Sequence, residues 1–183
     1  MFDSIIKGCR KRDRSSQKKL YEQFYAYGMS ITLRYADSRN EGAQILNDAF
    51  LKVFENISSY DTERPFKPWF RRIVLNTAIN HYHKTQRDSF RNHEQFSEGM
   101  SPIESTVISA ISYRELIEII QQLSPGYRMV FNLYVIEGYT HREVADQLNI
   151  TEGTSKSNLY KAKQNLRILL NKNINQEKVN ESL

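Results

Sequence analysis

Short polar and basic side chains crowd one stretch near the C-terminus. Thr154, Ser155, Lys156, Ser157, Asn158, Tyr160 and Lys161 lie within two helical turns, and no acid occurs between Gly153 and Lys172. Hydroxyls, amides and ammonium groups bond both phosphate oxygens and base edges in a major groove, so this set suits duplex nucleic acid. A second cluster has a different chemistry. Phe66, Trp69, Phe70 and Tyr82 alternate with Lys67, Arg71, Arg72, Asn76, Asn80 and Lys84, again without an acid, and Tyr60 stands in the polar loop before them. Aromatic faces beside cations suit single strands: bases stack at roughly 1–3 kcal/mol each while the cations follow the backbone. Trp69 reads more readily as core, which leaves Tyr60 as the better candidate for an exposed ring.

Catalytic and metal chemistry find no support. Cys9 is the single cysteine, which excludes an internal disulfide and any thiolate zinc site, and it reads as a small, partly buried helix residue. The four histidines have no matching carboxylate pattern, and His81 and His83 point to different sides of a helix. The chain therefore reads as a non-enzyme with no catalytic residue, no metal and no cofactor.

The elements that must position the two clusters are helical. Thr140, three residues before Glu143, forms a capping box that starts one helix, with Val144, Ala145 and Leu148 as its buried stripe. Asn149 ends that helix, and Thr151 caps a second one running to about Leu170 over Leu159, Ala162, Leu166, Leu169 and Leu170. Together they make a helix-turn-helix, a motif that places its second helix in the major groove. Further helices are predicted over about 3–11, 15–37, 41–57, 65–87, 105–123 and 125–137. The inner side of the second is Leu20, Phe24, Tyr27, Ile31 and Tyr35. The third buries Leu46, Ala49, Phe50, Val53, Phe54 and Ile57, and its other face carries Gln44, Asn47, Asp48, Lys52, Glu55 and Asn56. That polar face suits solvent and a partner helix about equally.

The fold class expected is all-α, with two small helical domains. Residues 1–87 form the first and 107–172 the second. Between them 88–106 is polar and aperiodic and contains Gly99 and Pro102, the pattern of a flexible linker; 173–183 reads as a polar tail. Length and charge agree with this picture. The 183 residues allow one or two small domains, and a net charge of +5 favours a polyanionic partner. No apolar run approaches the roughly 20 residues that span a bilayer, so no membrane insertion is expected. The few apolar residues before Arg10, Lys11, Arg12 and Arg14 reverse the order of a secretory signal, which predicts a cytoplasmic protein.

Four segments resemble one family. Phe66-Lys67-Pro68-Trp69-Phe70-Arg71-Arg72-Ile73-Val74-Leu75-Asn76 is similar to a signature segment of bacterial sigma factors of the extracytoplasmic-function group (group IV of the sigma-70 family), and Asn47-Asp48-Ala49-Phe50-Leu51-Lys52 to another. Leu123-Ser124-Pro125-Gly126-Tyr127-Arg128-Met129-Val130-Phe131 and the stretch 137–157 resemble the C-terminal signatures. The segments fall in the family's order and spacing from about Leu20 to Leu170.

The resemblance implies a sigma region 2-like domain that binds the clamp helices of core RNA polymerase and captures the opened −10 strand. It also implies a region 4-like domain that docks on the polymerase flap and reads the −35 duplex. On that basis Asn47, Asp48 and Lys52 fall at the polymerase, and Tyr60, Trp69, Arg71, Arg72, Asn76, Asn80 and Lys84 at the −10 strand. Arg142, Thr154, Lys156, Ser157, Tyr160 and Lys161 fall at the −35 element. Many members are held by a membrane-bound anti-sigma factor, which makes such a protein a candidate partner. The chain departs from the family at Gln44, where an acid is usual, and at Asn80 and His83, where Asp and Arg are usual.

Two rival functions are distinguishable. A helix-turn-helix regulator that never acts as a sigma subunit would carry a ligand pocket or phosphoacceptor aspartate in its N-terminal half, where this chain carries basic aromatics. A recombinase would need a nucleophilic serine or tyrosine on an α/β catalytic domain, and no strand pattern is present.

Overall fold

The computed structural model describes the backbone of residues 2–91 and 113–180, and side chains over 2–88 and 113–172. Every regular element among the described residues is helical. The chain divides into two compact units, Met1–Lys84 and Thr85–Leu183.

The first unit contains α1 (Phe2–Arg10), α2 (Arg14–Thr32), α3 (Arg39–Asn56), a 3-10 turn (Ile57–Ser59) and most of α4 (Phe66–Arg91). Its helix starts are set locally. Arg12 adopts a left-handed φ of 59° to close the α1–α2 turn, and the Asp13 carboxylate accepts the Ser16 backbone N–H at 2.8 Å. Ser38 caps α3 by accepting from the Glu41 N–H at 3.2 Å. Pro68 sits in the first turn of α4, where a missing N–H breaks no helical bond. The core is aromatic at its centre: Phe24, Phe50, Phe66 and Phe70 are all buried, with Phe70 5.1 Å from Phe50 and 5.8 Å from Phe66 between ring centroids. α1 packs tightly on α2 because Gly8 lacks a side chain. An added Cβ there would lie 2.0 Å from the Ser16 hydroxyl.

The second unit contains α5 (Tyr113–Gln121), α6 (Pro125–Phe131), a π-helical turn (Asn132–Ile136), α7 (His141–Leu148) and α8 (Glu152–Asn180). Ile119, Ile120 and Leu123 pack on Ala162 and Leu166 of α8, flanked by Tyr127, Phe131, Leu169 and Leu170. Arg128 is 2 % exposed, and its guanidinium donates to the carbonyls of Gln121 at 2.8 Å and Leu123 at 3.4 Å. A cation thus occupies the C-terminal end of α5, where the helix dipole favours it.

Several boundaries differ from the sequence reading. α2, predicted to run to 37, ends at Thr32, and the chain turns through 33–35. α4 is helical through Arg91, so 88–91 belong to a helix and not to the linker. The helix predicted over 125–137 changes to π geometry at Asn132, whose buried side-chain amide donates to the Arg128 carbonyl at 2.9 Å while the Glu137 N–H reaches back to Asn132 O at 2.9 Å. Side-chain bonding to a nearby carbonyl competes with regular α ladders. α8 passes Leu170 to Asn180, since no Gly or Pro follows to stop it. The start of the helix predicted over 105–123, and the remainder of the linker, lie outside the described residues.

Candidate nucleic-acid interfaces

The helix-turn-helix is built by its caps. Thr140 accepts the Glu143 N–H at 3.2 Å, and the Glu143 carboxylate accepts the Thr140 N–H at 2.8 Å, which holds that carboxyl below its usual titration range. Asn149 takes a left-handed φ of 54°, a conformation asparagine tolerates, and turns the chain into α8. Thr151 then accepts the Thr154 N–H at 3.0 Å. These local bonds fix the angle at which α8 leaves α7, while Val144, Ala145 and Leu148 form the buried face of α7 and Leu159, Ala162 and Leu166 that of α8.

Opposite that face α8 presents Ser157, Tyr160 and Gln164, at the three- and four-residue steps of one helix side, with Thr154, Lys156 and Lys161 on its flanks. All but Gln164 are exposed, Tyr160 by 64 %. Gln164, half-buried, donates to the Tyr160 hydroxyl at 2.7 Å and so steers that ring; it escaped the sequence reading, though its spacing from Tyr160 is the signal that finds it. Lys161 lies 5.8 Å from the Tyr127 ring centroid, a cation–π contact that orients the ammonium. Arg142 is exposed on α7. One residue is corrected: Ser155, expected on the reading face, is completely buried. Its hydroxyl bonds His141 Nδ1 at 2.9 Å, and the His141 ring stacks on Tyr134 with centroids 4.2 Å apart. Burial, and then Lys156, push the His141 imidazole below its ordinary value, against an opposing pull from Glu152.

In the first unit, α4 carries Trp69, Arg72, Asn76 and Asn80 at helical steps along one side. Arg72, Asn76 and Asn80 are exposed, and Trp69 is half-buried, with its ring 5.1 Å from Tyr60 and 5.5 Å from Phe66. Arg71 is half-buried and lies about 100° around the helix from Arg72, so the two arginines do not serve one line of contacts. Tyr60 is the second correction. Expected to be an exposed ring, it is 4 % exposed: Phe66 meets it edge-on at 5.3 Å, and its hydroxyl donates to the Arg64 carbonyl. Burial also raises the Tyr60 hydroxyl's titration. Trp69 and Tyr82, both half-buried, are the rings of this cluster that keep some exposed surface.

On α3, Asn47 and Asp48 are exposed, and Asn47 Oδ1 accepts the Tyr21 hydroxyl at 3.0 Å. Lys52 is half-buried and donates to Thr77 Oγ1 at 3.3 Å. Asp48 and Lys52 share a groove of about 330 Å³ with Leu51, Glu55, Asn80 and Lys84. Residues assigned to two separate surfaces thus meet on one. Leu51, 61 % exposed, is an apolar contact the sequence reading did not single out. At the groove's edge His81 Nε2 lies 2.8 Å from Glu41 Oε1, tying α4 to the start of α3. No group of three or more potential metal ligands occurs among the described residues.

Two family models match the chain: residues 20–88 fit the model described as sigma-70 region 2, and 113–166 the one described as sigma-70, region 4. The ECF RNA polymerase sigma factor SigW of Bacillus subtilis is 27 % identical over 178 residues, covering 91 % of this chain and 95 % of the relative. SigM of the same organism is 23 % identical, covering 87 % and 98 %. Among solved structures, the sigma factor RpoE of Bartonella quintana, crystallised with the anti-sigma factor NepR, matches with a TM-score of 0.50 at 18 % identity, over 84 % of this chain and 96 % of that one.

Proposed function

Since the chain belongs to the sigma-70 family, in its extracytoplasmic-function group, we propose that it binds core RNA polymerase and directs transcription initiation at a narrow set of promoters by holding their −10 and −35 elements. The observation that carries this reading is the presence, in order on one chain, of two matched sigma regions that each present nucleic-acid chemistry suited to its element. Region 4 offers α8, with Lys156, Ser157, Tyr160 and Lys161 exposed and Thr154 and Arg142 beside them, to the −35 duplex. Region 2 offers Trp69, Arg72, Asn76 and Asn80, with Arg71 and Lys84 flanking, to an unpaired strand.

The protein contributes binding energy, and the polymerase performs the chemistry. Opening a duplex costs about 1.4 kcal/mol per stacked step, a sum that strand contacts at roughly 1–3 kcal/mol per stacked base can offset only where several act together. Binding two elements at once helps, because the second contact is made at high effective concentration. Asn47, Asp48 and Lys52, with Leu51 between them, form the surface offered to the polymerase. The apolar residue supplies area and the charges supply register. The protein works without a cofactor in the cytoplasm, beside the polymerase; no described helix is long and apolar enough to cross a membrane. The anti-sigma complex of RpoE supports a protein inhibitor as a further partner.

In vitro transcription tests this reading, with the purified protein and core polymerase on a genomic fragment library. Discrete starts that depend on the added protein are the expected result. Tight duplex binding by the protein alone, with no core binding and no transcript, would overturn it in favour of a regulator.

A further inference from the structure

We infer that α1 is a brace for strand capture, with Arg10 as the positioning residue that fixes the segment between α3 and α4. The inference rests on the region 2 function proposed above. Arg10 Nη2 donates to the Tyr60 carbonyl at 2.6 Å and Nε to the Ile57 carbonyl at 3.4 Å, so one guanidinium spans both ends of the 3-10 turn. At the other end of the same helix, Phe2 meets the Phe66 ring at 5.4 Å, and Phe66 is the first residue of α4. α1 therefore holds the segment 57–66 at its start and at its finish. Between those two points residues 61–65 are all exposed, and the bond from the Tyr60 hydroxyl to the Arg64 carbonyl closes the loop on itself.

The brace bears directly on Trp69. Its ring packs on Tyr60 and Phe66, the two residues whose backbone or ring α1 touches. A shift of the 3-10 turn would move Tyr60 and let the indole tilt from the line of Arg72 and Asn76. α1 can act this way because it is itself fixed: Ile6 and Cys9 are buried, and Gly8 lets it lie close against Ser16. Arginine suits the task, since its planar fork sets two separate nitrogens against two carbonyls at once, whereas lysine offers its three donors from a single nitrogen on a flexible stem and cannot reproduce that fixed span.

The test compares wild-type, Arg10→Ala and Arg10→Lys proteins as holoenzymes on a promoter recovered from the transcription selection. Core affinity, binding to a −35 duplex and binding to an unpaired −10 oligonucleotide are measured with permanganate-detected opening. The expected result is unchanged core and −35 binding for Arg10→Ala. Its opening and single-strand binding should fall roughly tenfold, the size expected for losing a hydrogen bond to a charged group, with Arg10→Lys in between. Opening by Arg10→Ala at the wild-type level would overturn the inference. So would a parallel loss of core binding and opening, which marks general destabilisation of the unit. Failure of the wild-type protein to bind core would overturn the proposed function itself, and the brace with it.

Discussion

Single side chains decide how much of each proposed nucleic-acid surface is exposed. Tyr60 and Trp69 are neighbours, yet the tyrosine is buried and bonded while the indole keeps an open side. Trp69→Ala should therefore weaken single-strand binding by about 1–3 kcal/mol, the loss of one stacking partner; fluorescence anisotropy with a labelled −10 oligonucleotide checks it. Arg128 is buried at the end of α5, so Arg128→Ala removes a charged donor from two carbonyls and should destabilise the second unit by about 1–3 kcal/mol in denaturant titration. His141 carries a pH dependence. Its imidazole titrates lower in the folded protein than in the unfolded chain, because burial disfavours the charged form. Its contribution to stability is then complete above the ordinary histidine value of about 6.5 and is lost as pH falls from there toward the folded pKa. An NMR titration should place His141 below that value, and a midpoint at or above it would contradict burial as the dominant influence on the imidazole. In the sequence, Ser155 is one more small polar residue in a basic helix. Its spacing from Leu159, Ala162 and Leu166 puts it on the buried stripe, but its polar type hides that signal until the His141 bond is seen.

At the scale of elements, caps and close approaches set the geometry. The capping box at Thr140, the helix end at Asn149 and the Thr151 cap were legible because each is set by residues a few positions apart. The α1–α2 crossing was not, since nothing local marks Gly8 as a contact point. Gly8→Ala would place a methyl 2.6 Å from Ser16 Cβ and force α1 outward. An overpacking loss of about 1–3 kcal/mol is expected by thermal unfolding. The π turn at Asn132 escaped for a related reason: 125–137 has ordinary helical periodicity, and the deviation follows from burial of an amide that bonds the Arg128 carbonyl.

For the molecule as a whole, two units carry two contacts, and damage to one should spare the other. Lys161→Ala should weaken use of the −35 element by removing an exposed cation from α8, and it should lower the salt dependence of that binding by about one charge. Core binding should stay intact, because the core contacts proposed at Asn47, Asp48 and Lys52 lie in the other unit and Lys161 is not proposed to meet the polymerase; lost core binding in a pull-down with core polymerase would contradict the assignment. The sequence by itself determined the helical class, the order of the elements, the helix-turn-helix and the placing of two clusters of polar, basic and aromatic side chains. Those properties rest on periodicity, capping and charge within one stretch of chain. Only the tertiary structure decided that Tyr60 turns inward, that Ser155 bonds His141, that Asp48 and Lys52 share a groove with Asn80 and Lys84, and that Arg10 reaches the turn before α4. The groove and the Arg10 contact depend on which distant residue packs alongside, and the other two on how a nearby turn folds back. Burial and hydrogen bonding between residues some tens of positions apart leave no periodic trace in either segment, and the packed core settles them.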